Sequence, residues 1–95
     1  MTVEEELALL EKHLRRLKIE YDVYFHNPLK KAPLDLDWKV VSLIRRFSDG
    51  THMSLAQRFR YNEIAQRYAI YSELWRKRSR LREQSGTFRI RGARP

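Results

Sequence analysis

The run RFRYNEIAQRYAIYSELWRKRSR, Arg58 to Arg80, interleaves aromatic rings with arginines and lysines. Two chemistries use that mixture. Rings and cations on one exposed surface make a stacking platform for single-stranded nucleic acid. Rings on one helix face and cations on the other make a core helix with a solvated back. On a helical wheel Tyr61, Tyr68, Tyr71 and Trp75 share a face, while Arg58, Asn62, Gln66, Glu73, Arg76 and Arg80 fall on the far side. The spacing predicts that the aromatics build the fold. The basic residues remain as the functional clue.

Their densest cluster is RKRSRLR, which supplies Arg76, Lys77, Arg78, Arg80 and Arg82. The segment that follows, SGTFRIRGARP, adds Arg89, Arg91 and Arg94. A basic helix end with a basic tail suits contacts to phosphate, which give affinity without sequence discrimination. These residues are the candidate polyanion-binding set, with DNA or RNA as the expected partner. Arg60 and Arg67 fall between two apolar stripes. With Tyr68 they form a secondary candidate groove for a small anionic nucleotide, or they pair with acids of the first helix.

Catalysis finds no such support. His13, His26 and His52 are scattered without metal-ligand spacing, and there is no cysteine. No glycine-rich phosphate loop or nucleophile elbow is present. No set of nucleophile, base and orienting residue can be assembled. The expectation is a non-enzymatic protein with no catalytic residues, metal or cofactor. No apolar run approaches the length of a membrane span, and the start MTVEEE lacks a basic, apolar leader. A cytoplasmic protein is expected.

The 95-residue chain carries a net charge of +8, unevenly placed. Residues 1–37 hold six Lys/Arg against eight Asp/Glu, and residues 38–95 hold fourteen against four. That asymmetry favours an acidic partner. With three Gly, three Pro and few β-branched residues, the composition favours long helices.

An all-α fold of three helices is predicted, spanning about 3–25, 36–47 and 54–84, followed by a basic, flexible tail at 85–95. Thr2 with Glu5 and Ser54 with Gln57 read as capping boxes. In the first helix Val3, Leu7, Leu10, Leu14, Leu17, Tyr21 and Tyr24 keep a heptad seam like that of a coiled coil. Pro28 and Pro33 mark a loop bearing Lys30 and Lys31. Asp35 or Asp37 caps the second helix, whose buried face is Leu36, Val40, Leu43, Ile44 and Phe47. The third helix has a second stripe, Leu55, Phe59, Ile70, Leu74 and Leu81, which calls for a second packing partner.

The expected arrangement is a long antiparallel hairpin of helices 1 and 3, with helix 2 packed at one end. That pairing places Glu4, Glu5 and Glu6 beside Arg76, Lys77, Arg78 and Arg80, and Glu20 and Asp22 near Arg60.

The succession IEYDVYF, KKAPLDLDWKVVSLIRRF, MSLAQRFRYNEIAQRYAIYSELWRK and REQSGTFR resembles a group of small bacterial helical proteins of unknown function. In that group a tyrosine-rich first helix leads through a Lys/Pro linker to a long helix opening on an RFRFN-like step. The resemblance covers about Ile19 to Arg89. It implies a bacterial, cytoplasmic protein and assigns no activity, ligand or site.

Two functions therefore compete. One is a binding module for nucleic acid phosphate. The other is a helical adaptor for a protein partner, or a homodimer, which would bury the surplus apolar faces.

Overall fold

A computed structural model describes residues 1–27, 29–49 and 51–82 with their side chains and carries the helical backbone on to residue 93. The chain forms α1 (Val3–His26), α2 (Leu34–Ser48) and α3 (Leu55–Ala93), with no strand among the described residues. The fold is all-α. Helix α3 continues to Ala93, past the expected end at 84, so the backbone read as a flexible tail from 85 is helical as far as 93. Residues 94 and 95 and the side chains of Arg89, Arg91 and Arg94 lie outside the described residues.

Both capping boxes form. Thr2 Oγ1 accepts the Glu5 N–H at 3.2 Å, and Glu5 Oε1 accepts the Thr2 N–H at 3.1 Å. These bonds hold the Glu5 carboxyl below its ordinary range. Ser54 and Gln57 do the same for α3, at 2.9 and 3.2 Å. Each box satisfies amide donors that a helix start leaves open.

Helix α2 begins at Leu34, earlier than its sequence pattern predicts. Pro33 occupies the N-cap and makes no side-chain cap bond. A proline there forfeits no hydrogen bond, since that amide has no partner in a helix. Asp35 and Asp37, expected to cap the helix, instead lie inside its first turn. They suit the positive end of the helix dipole.

The heptad seam of α1 is the centre of the core. Leu7, Leu10, Leu14, Leu17 and Tyr21 are buried, joined by Val40 and Phe47 of α2 and by Tyr61, Ile64 and Trp75 of α3. Each fully buried leucine contributes about 1.5–3 kcal/mol of transfer free energy. Truncating Leu14 to alanine would cost about 2–5 kcal/mol, because the surrounding packing closes only partly.

The antiparallel pairing of α1 and α3 is overturned, for residue numbers rise together along their contact. Gln57 donates to Glu4, Arg60 bridges Glu4 and Glu11, Lys18 lies over Tyr71, Tyr21 stacks on Trp75 and Arg78 lies over Phe25. The helices are parallel. The cause is α2, which reaches from Tyr21–Asp37 at one end of α1 to Glu6–Arg46 at the other. Its 15 residues span about 22 Å. It runs back along α1, not across one end, and returns the chain to where α1 began. The molecule is an up-down-up three-helix bundle.

Candidate nucleic-acid interface

Parallel packing redistributes the charge. The acids at the start of α1 find partners at their own end of the bundle. Arg60 donates to Glu4 and Glu11, each at 3.2 Å, and Arg46 pairs with the buried Glu6 at 3.2 Å. Glu4, Glu5 and Glu6 are therefore far from Arg76–Arg80, and Glu20 pairs with Arg16 at 3.0 Å, not with Arg60. Sequence complementarity alone allows either pairing.

The opposite end is basic. Arg82 donates to the carbonyls of Tyr24 and Asn27, satisfying the last turn of α1, and its guanidinium carbon lies 4.1 Å from the Tyr24 ring centroid. Arg78 lies 4.3 Å from the centroid of Phe25. Lys77 stands 3.9 Å from Glu73 on the same helix, a weak exposed pair. Arg76 and Arg80 are exposed and make no ion pair or hydrogen bond among the described residues. The loop leaving Asn27 brings exposed Lys30 and Lys31 to this same end. Sequence reading placed the two lysines on a loop and gave them no part in the binding set. With α3 parallel to α1, they join the arginines.

Arg60, Arg67 and Tyr68 do not come together as one groove. Arg60 clasps two acids of α1. Arg67 pairs with Glu63 at 3.1 Å and lines a cleft between α1 and α3 with Arg15, Lys18 and Tyr71. Tyr68 turns the other way, towards α2.

There it meets the group that sequence reading misjudged. One Asp37 carboxylate accepts the Tyr21 hydroxyl at 2.8 Å and the Tyr68 hydroxyl at 2.6 Å. Burial first, then these bonds to an anion, raises both phenols well above the ordinary tyrosine range. Asp37 thus ties α1, α2 and α3 at one point, where it borders a cleft of about 240 Å³ with Trp75 and Arg76. The available signal was its spacing. Asp37, Val40 and Ile44 follow a 3-4 rhythm, so the acid sits on the edge of an apolar face.

The described residues contain no cluster of three metal-ligating side chains and no helix long and apolar enough to cross a membrane. Comparison with protein-family models, with curated proteins and with solved structures found no match to this chain.

Proposed function

We propose that the protein is a non-enzymatic binding module for nucleic acid phosphate. The binding surface is the basic end of the bundle, with Arg76, Lys77, Arg78, Arg80 and Arg82 on α3 and Lys30 and Lys31 beside them. One observation carries the reading: the acids at the start of α1 are engaged at the far end, so they do not neutralise these cations. The resemblance of the sequence to small bacterial helical proteins suits a cytoplasmic, bacterial setting.

The test is fluorescence anisotropy with a labelled oligonucleotide across a salt series. With about four phosphates engaged, log affinity falls with log salt at a slope of about −3. Reversing Arg80 and Lys30 to glutamate weakens binding at least about tenfold at low salt. Affinity that ignores both salt and the reversals defeats the reading.

A second reading, a helical adaptor or homodimer, draws on a separate observation. Phe59, Ile70, Leu74 and Leu81 of α3 and Ile19 of α1 are all at least 49% exposed. Apolar side chains gathered on one helix face commonly mark an association surface. Light scattering at high concentration decides it, for a strictly monomeric chain with no protein partner in a pull-down removes this alternative.

A further inference from the structure

The geometry points to the parallel groove between α1 and α3 as a track for single-stranded nucleic acid, whose bases stack at two stations, Lys18–Tyr71 and Arg78–Phe25. This inference rests on the phosphate-binding reading and narrows it to one form of nucleic acid. A convex basic surface grips phosphates of any strand. Stacking platforms for unpaired bases need rings and cations together. Along α3 alone the wheel separates them, but α1 brings its own cations and rings to the edge of the α3 stripe.

At the first station Lys18 Nζ lies 5.4 Å from the Tyr71 centroid, in a cleft of about 180 Å³ whose walls include Arg15 and Arg67. The acids near it are engaged, Glu11 by Arg60 and Arg15 and Glu63 by Arg67. At the second station Arg78 covers Phe25 in a cleft of about 230 Å³ shared with Leu81 and Arg82. A guanidinium lying against a ring offers a further plane on which a base can stack. Tyr71 and Arg78 are two helical turns apart, about 10 Å along α3. That is the reach of about three stacked nucleotides. Bases paired within a duplex cannot leave their stack to enter such clefts without an unpairing cost.

The experiment compares a short labelled oligonucleotide, single-stranded and as a duplex, at one low salt concentration. The single strand is expected to bind at least about tenfold tighter. Phe25→Leu with Tyr71→Leu should weaken the single strand roughly tenfold and leave duplex affinity unchanged. Because those leucines also touch the core, ultraviolet cross-linking of the unaltered chain gives an independent readout, with adducts expected on peptides containing Phe25 and Tyr71. Equal affinity for both forms, with adducts absent from those peptides, overturns the groove and leaves phosphate binding standing. Binding of neither form at low salt removes both. Saturable binding of an acidic peptide in place of the single strand also overturns it.

Discussion

The ring of Tyr21 lies against the indole of Trp75, centroids 4.2 Å apart and planes 17° from parallel. This contact joins the last third of α1 to the middle of α3, with Tyr71 stacked on the same indole at 5.6 Å. Trp75 is 4% exposed and Trp38 is 61% exposed. Trp75→Ala is expected to destabilise the fold by about 3–5 kcal/mol in urea titrations. Trp38→Ala should change stability by under about 0.5 kcal/mol.

Helix direction has a direct chemical test, helped by the absence of native cysteine. Cysteines placed at Glu4 and Gln57 should be joined by a short bis-maleimide, because those side chains already share a 3.2 Å hydrogen bond. Cysteines at Glu4 and Arg80 should not. Mass spectrometry of the digested products reads the result, and the reverse outcome would restore the antiparallel hairpin.

Asp37 holds two phenols, so its removal strands both hydroxyls. Hydrogen bonds to a charged acceptor contribute about 1.5–3 kcal/mol each, and part of that is recovered as water enters. Asp37→Ala should cost about 2–4 kcal/mol. Tyrosinate absorbance should show Tyr21 and Tyr68 ionising at lower pH in that variant than in the native chain.

The pH dependence has two limbs. Tyr21 and Tyr68 are raised above 10 in the folded chain, so the folded state keeps protons that the unfolded state releases. Their stabilising contribution is complete below pH 10 and is lost as pH rises beyond it. His13 is lowered below 6.5 by burial, then by Lys39 and Lys12. The unfolded chain therefore binds that proton first, and stability falls as pH drops below 6.5. His13→Gln should flatten the acid limb in thermal melts, and Asp37→Ala should flatten the alkaline one.

Much of the fold is legible in the sequence because local rules act on local residues. Thr2–Glu5 and Ser54–Gln57 are capping boxes at any tertiary placement. The seam Leu7–Leu10–Leu14–Leu17 is buried whichever helix covers it. Direction is different, since a heptad stripe is equally apolar read from either end. Charge complementarity does not rank basic partners: sequence reading gave Glu4–Glu6 the Arg76–Arg80 cluster, where the fold gives Glu4 to Arg60 and Glu6 to Arg46. The length of α2 decided between them, and its start depended on a proline cap that the acids nearby disguised. Of the candidate interface, the arginine cluster was visible in advance. The approach of Lys30 and Lys31 and the cations over Tyr71 and Phe25 were not, because they follow from helix direction.

The same direction orders the assembly of the molecule. Tyr21 and Asp37 are 16 residues apart, whereas Glu4 and Gln57 are 53 apart. Closing the longer loop costs about 1 kcal/mol more in chain entropy. The α1–α2 hairpin is thus the local unit, able to form early. The aromatic stripe of α3 docks on a template that is already in place. Mutations of the Val40–Phe47 face should then slow folding, while truncation of Trp75 should chiefly speed unfolding.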